Sequence, residues 1–317
     1  TALGAGTSAA VANGFPLNSP YNADIPYKID QLSLFGEANY VFGPVTATAG
    51  LRHYTYNESR VFKSGGIFAN GDNNRDKTSA TGFNPRFLLS FEVSPRVTLN
   101  AQVSKGFRLG GVNDPLNIPL CSGGATGPDA LTFGNRPTFK DESLWNYEGG
   151  IKSQFGAFTF NAAAFYNKIK NLQVTADAGS CSSRIVFNAD KAHSKGVEVE
   201  MGFRPASGLE LGISGSLIEA EFDSTLKDST NTFVIAGIRD GNRLPSTPKF
   251  QMSANAGYRF AVGGGEAYLG ANYQHVGSRY TQPADQEPGA NVFSHFTYGG
   301  TPAGTSSTLN LKLPSYD

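Results

Sequence analysis

The sequence predicts an all-β fold, a transmembrane up-and-down antiparallel β-barrel, and three observations lead there. Apolar and polar residues alternate over many separate stretches; these stretches come in pairs joined by short turns; and loops of up to about thirty residues separate the pairs. The alternation is clearest from Val97 to Ser104. There Val97, Leu99, Ala101 and Val103 point one way, and Thr98, Asn100, Gln102 and Ser104 point the other. Successive strand side chains face opposite sides of a sheet, so this is a strand with one apolar and one polar face.

Taken in order, residues 1–28 are rich in Ala, Gly, Asn and Pro, lack periodicity and read as an extracellular loop. Residues 29–317 read as part of a barrel domain. A strand over 32–42 ends at Gly43-Pro44, and the next begins at once with Val45, Ala47, Ala49 and Leu51 on one face. Residues 58–80, with Gly65-Gly66 and Asn70-Gly71-Asp72, read as a long polar loop. Strand 83–93 then meets strand 97–107 across Ser94-Pro95, and 109–141 reads as a second long loop. Strands 144–153 and 157–169 meet at Phe155-Gly156, with a loop at 175–183. Strands 185–203 and 209–221 meet across 204–208, with a loop at 223–246. The last hairpin joins 249–260 to 266–277 across 261–265, and 280–312 reads as a loop.

Five hairpins in series thus carry short turns at one edge and long loops at the other. Membrane barrels sort loop length by edge in this way, short on the periplasmic side and long outside. A propeller of similar period needs four short strands per blade, whereas each period here holds two long ones. The faces agree. Phe158, Phe160, Ala162, Ala164 and Tyr166 oppose Thr159 and Asn161; Phe250, Met252, Ala254, Ala256 and Tyr258 oppose Gln251, Ser253, Asn255 and Arg259. Aromatics gather near the short turns (Tyr40, Phe42, Phe91, Phe155, Phe203, Phe260), as an interfacial girdle requires.

Composition narrows the function. Gly (38) and Phe plus Tyr (23 and 13) are abundant, while charged residues make up only 16%, below the roughly 25% of soluble domains. Lys+Arg and Asp+Glu balance at 26 each, which gives no electrostatic footprint for nucleic acid. No run of about 18 apolar residues exists, so no transmembrane helix is expected, and Thr1-Ala2-Leu3-Gly4 does not begin a signal peptide. No enzyme signature occurs: the four histidines (His53, His193, His275, His295) show no HExxH spacing, and GxSxG and the P-loop are missing. No cofactor or metal site is read. Cys121 and Cys181, both in Gly/Ser-rich loops, lack zinc-ligand spacing; they read as a loop-stapling disulfide, with two free thiols as the alternative.

In this order and at hairpin spacing, several stretches resemble the C-terminal barrel portion of TonB-dependent outer-membrane receptors of the siderophore-receptor type. They are Leu34-Phe35-Gly36-Glu37-Ala38-Asn39-Tyr40, Ala49-Gly50-Leu51-Arg52-His53-Tyr54, Asn84-Pro85-Arg86-Phe87, Ser104-Lys105-Gly106-Phe107-Arg108-Leu109-Gly110-Gly111-Val112-Asn113, Glu142-Ser143-Leu144-Trp145-Asn146-Tyr147-Glu148-Gly149-Gly150-Ile151-Lys152, Ala164-Phe165-Tyr166-Asn167, and Lys195-Gly196-Val197-Glu198-Val199-Glu200. The resemblance implies about strands 10–20 of a 22-stranded barrel, with the plug domain, the early strands and the last strands lying outside this stretch. It also implies the outer membrane of a Gram-negative bacterium, contact with lipid and lipopolysaccharide, energy from the inner-membrane TonB complex, and a small-molecule nutrient as ligand. Import of a scarce large nutrient, foremost a ferric siderophore, is the expected function. A passive pore, or a surface receptor or adhesin, is the alternative.

Two groups of residues are candidates for the site. Glu37, Glu92, Glu148, Glu198 and Glu200, with Arg52, Arg86, Lys105, Lys152 and Arg259, are expected to face the lumen and pair across the wall or with a plug. Arg108 and Arg136, with the aromatic cluster Phe293, His295, Phe296 and Tyr298, are expected in extracellular loops as ligand contacts.

Overall fold

The computed structural model describes residues 7–287 except 67, 70, 71, 135, 182, 229 and 230, together with the short paired strands Val292–Phe293 and Leu311–Lys312. Ten long strands form the wall: β1 Tyr27–Phe42, β2 Val45–Gly65, β3 Asn73–Ser94, β4 Val97–Arg108, β5 Glu142–Phe155, β6 Phe158–Asp177, β7 Arg184–Ala206, β8 Leu209–Phe222, β9 Phe250–Val262 and β10 Gly265–Val276. Each is antiparallel to the next, with no crossover, and a short strand Asn22–Asp24 adds to the upper end of β2. This is the meander that the alternation predicts, at all ten places.

Every turn at the short edge has two residues: Gly43-Pro44, Pro95-Arg96, Gly156-Ala157, Ser207-Gly208 and Gly263-Gly264. Four of the five place a glycine at positive φ (57° at Gly43, 59° at Gly156, 80° at Gly208, 57° at Gly263), the backbone that tight hairpins require. At the other edge the strands run further than the sequence suggests. The expected loop 58–80 is largely strand, since β2 continues to Gly65 and β3 begins at Asn73; the expected loop 175–183 shrinks similarly between β6 and β7. The expected loop 1–28 contains a helix, α1 Thr7–Val11, and yields to β1 at Tyr27. Above the apolar band the strands no longer separate lipid from lumen, so two-residue alternation lapses while the backbone ladder continues.

Register fixes the two faces, because directly paired residues share one. Gln102 lies opposite Leu88 and Glu148, Asn100 opposite Ser90 and Gly150, and Asn161 opposite Lys152 and Glu200. Val103 lies opposite Phe87 and Tyr147, and Leu99 opposite Phe91 and Ile151. The second face is an exposed apolar band, with Leu34 66%, Phe87 56% and Leu269 64% accessible. Such a surface is unfavourable in water by about 25 cal/mol per Å² but is at home in lipid. On the inward face, rings lie across cross-strand glycines. A Cβ on Gly82 would come within 2.7 Å of the Tyr54 ring, and one on Gly196 within 2.9 Å of Phe165.

The packed core is not inside the wall but at the long-loop end. Leu116, Phe133, Val174, Ile185, Phe187, Phe222, Ile235 and Ile238 form one buried cluster. It joins the 109–141 loop, the β6–β7 tip and the 223–246 loop. A helix in the first of these, α2 Pro128–Phe133, starts on proline and stops at Gly134, whose N–H returns to the Ala130 carbonyl. Cys121 and Cys181 are joined by a disulfide that links this loop to the β6–β7 tip.

Candidate functional site

The inward face of β3–β10 encloses a concave polar cavity of about 690 Å³. Arg86, Glu148, Lys152, Glu198 and Glu200 line it, alternating along their strands with residues that face lipid. Arg86 holds Glu37 across the intervening β2 at 3.0 Å and also donates from Nε to Gln102 at 3.1 Å. Asn161 donates to Glu200 at 3.3 Å. The cavity lining therefore carries two cations, Arg86 and Lys152, against three carboxylates, Glu148, Glu198 and Glu200. Arg52 donates to Ser33 Oγ at 2.9 Å and lies 5.5 Å from the Phe107 ring centre. Glu92 sits opposite Thr98 on the Arg86 face, near the short turns. Arg259 lies 3.8 Å from Glu266 and over the Tyr268 ring, so its partner is on the neighbouring strand.

Lys105 pairs with Trp145 near the upper end of the β4–β5 ladder, and two residues on Phe107 stacks on the inward-facing Tyr54 at 3.8 Å.

The extracellular end is a crown of segments tied to one another by side chains. Arg60 of β2 bonds Asp114 and donates to the Val112 carbonyl at 2.9 Å. Tyr56 donates its buried hydroxyl to the Gly110 carbonyl at 2.6 Å. Asn113 is the central fastener: its amide donates to the carbonyls of Arg136 and Val186, both at 3.0 Å, and its oxygen accepts the Val186 N–H at 2.8 Å. Asp129 accepts from Ser180 Oγ at 2.5 Å beside the disulfide. Further along, Arg239 grips Glu287 at 2.6 Å, and Gln286 donates to the Arg243 carbonyl at 2.8 Å.

Both arginines expected to meet ligand have structural partners here. Arg108 donates to the Gln173 side chain at 2.7 Å and its carbonyl at 3.0 Å, with Glu142 at 3.7 Å. Arg136 lies 4.6 Å above the Phe187 ring and donates to the Thr132 carbonyl. Burial pulls its pKa below the ordinary arginine value, and the stacked guanidinium stays charged. Phe293 falls in the short strand Val292–Phe293, while His295, Phe296 and Tyr298 lie outside the described residues. Sequence reading missed Asn113, Tyr56 and Gln173. An asparagine or glutamine in a polar loop carries no local sign that a distant backbone will need its amide.

A model of the TonB dependent receptor-like β-barrel matches residues 4–317, nearly the whole chain. The pesticin receptor of Yersinia enterocolitica is 32% identical over 115 residues, which are 36% of this chain and 15% of that protein. Among solved structures, the ferric yersiniabactin uptake receptor FyuA from Yersinia pestis superposes with a TM-score of 0.64 at 19% identity, covering 84% of this chain and 37% of that one. The ferric-catecholate import receptor Fiu from E. coli K12 gives 0.57 at 12% identity, covering 81% and 35%. At such identities the superpositions speak for the fold alone, and the chain spans well under half of each relative's length. The two-faced meander, its two-residue turns, its long outer loops and the family match agree: this chain belongs to the β-barrel of the TonB-dependent receptors of the Gram-negative outer membrane.

Proposed function

We propose that this barrel is the wall and outer vestibule of an active transporter that imports a scarce large nutrient, foremost a ferric siderophore, with energy from the inner-membrane TonB complex. The observation that carries this reading is the polar cavity on the inward face, together with an extracellular end whose segments are fastened to one another. A lumen that must repeatedly hold and release a plug needs charged groups that pair reversibly. That Glu148, Lys152 and Glu198 line the cavity supports this role, since a charge facing lipid at midplane would cost roughly 2–4 kcal/mol. The relatives named for ferric yersiniabactin and ferric catecholate uptake support iron chelates as the substrate class. Arg108 and Arg136 serve in this reading by holding the vestibule's shape, and Phe293, His295, Phe296 and Tyr298 are the proposed aromatic contacts to the chelate.

The test is growth of the source bacterium on single ferric siderophores as sole iron, with this gene deleted and, separately, with TonB deleted. Loss of growth on the same siderophore in both strains is expected. Uptake that disappears with the gene but survives without TonB would show a passive pore instead. Unimpaired growth of the gene deletion on every iron source would refute iron transport.

A further inference from the structure

The outward face carries an unusual group where the strands leave the apolar band. His193 of β7 lies directly opposite Glu221 of β8, with Glu219 two pairs below on the same face. The imidazole nitrogen and the two carboxylates each present a ligand atom, and these atoms all lie within 4.8 Å of one another. The histidine side chain is only 14% accessible and its ring is fixed from two sides: it stacks on Tyr166 at 6.0 Å, and Nδ1 donates to Asp223 at 2.7 Å. The other ring nitrogen, Nε2, faces Glu219 Oε1 at 3.7 Å. That gap is too wide for a hydrogen bond. It is close to the roughly 3.4 Å that separates two donors of a tetrahedral zinc ion with bonds near 2.1 Å. A carboxylate behind the histidine is also the usual outer support of a metal-bound imidazole.

We propose that His193, Glu219 and Glu221 form a site for one divalent transition-metal ion of the zinc type, with Asp223 orienting the histidine and water completing the coordination. The site clips β7 to β8 at the level where they emerge from the membrane. One positive group already sits against it: Lys195 places Nζ 2.6 Å from Glu219 Oε1. A bare ion-pair network would need that lysine, whereas a metal site must displace it, and its half-exposed side chain is free to swing into solvent. Lys168, directly opposite His193, adds a second repulsive charge to any cation. The two readings therefore predict opposite effects of removing Lys195.

The experiment is equilibrium dialysis of the purified full-length outer-membrane protein against Zn²⁺ alone, with folding of each variant confirmed by heat-modifiable gel mobility. One ion per chain is expected, with affinity falling at least about tenfold in His193→Ala and in Glu221→Gln. Lys195→Ala should bind more tightly than the parent, because the competing ammonium is gone. No uptake at micromolar free Zn²⁺, affinity unchanged in His193→Ala, or weaker binding in Lys195→Ala would each overturn the site.

Discussion

The assignment of faces can be tested with two neighbouring residues of β4. Ala101 lies opposite Leu89 and Gly149 on the face given to lipid, about mid-way along the strand. Asn100 lies opposite Ser90 and Gly150 and accepts a hydrogen bond from Ser90 Oγ at 2.8 Å on the face given to the lumen. Arginine at position 101 would stand in hydrocarbon and should cost about 2–4 kcal/mol. Arginine at position 100 loses one partly exposed hydrogen bond, about 1 kcal/mol, and enters the polar cavity. The two variants should therefore differ by roughly 1–3 kcal/mol, or about 5- to 150-fold in the ratio of folded to unfolded protein. The assay is refolding of the full-length protein into phospholipid vesicles across a urea series, read by heat-modifiable mobility. Equal midpoints, or a larger loss for Asn100→Arg than for Ala101→Arg, would refute the face assignment for the whole wall, because one register links every strand.

Three further outcomes concern the crown. Reducing the Cys121–Cys181 bond should free the 109–141 loop for proteolysis while the wall keeps its heat-modifiable mobility. The wall already pins Arg108, 13 residues before Cys121, so the relevant loop is short and the cross-link contributes about 3 kcal/mol, below the roughly 4 expected from the full separation of 60. Ile238→Ala, at a fully buried position, should destabilise the 223–246 loop by about 2–5 kcal/mol and shorten its protease half-life, with the β3–β4 hairpin unaffected. The Glu287 carboxyl is held below the usual carboxylate range by the Arg239 guanidinium. A lowered folded pKa means that its contribution is complete above the unfolded value, near 4.3, and is lost as pH falls through the lowered one. Proteolysis between 223 and 287 with an acid-active protease should therefore accelerate below about pH 4, and Arg239→Gln should abolish that extra acid sensitivity.

The ten strands were legible because lipid enforces the simplest of patterns. Along β4 and β9 every second residue faces hydrocarbon, so the alternation is strict and short turns close each hairpin. The upper halves of β2 and β3 were not legible. Glu58, Ser59 and Arg60 read as a loop, yet the ladder runs on, since pairing with β1 and β3 supplies the hydrogen bonds that local pattern cannot announce. The crown was opaque for a related reason. Tyr56 and Asn113 are buried by segments more than fifty residues away or by loop backbone, and neither sits in a periodic stretch.

The fasteners of the crown also bear on how such a surface can change over generations. Arg60 meets Asp114, Asn113 meets Val186, Asp129 meets Ser180, and Gln282 donates to Asp177 at 3.4 Å, so each segment is matched to at least one that is distant in sequence. A lone substitution at Arg60, Asp114, Asn113 or Asp129 removes one side of such a joint and leaves its partner elsewhere in the crown unmatched. Drift among related barrels should therefore show Arg60 with Asp114, and Asp129 with Ser180, lost or kept together.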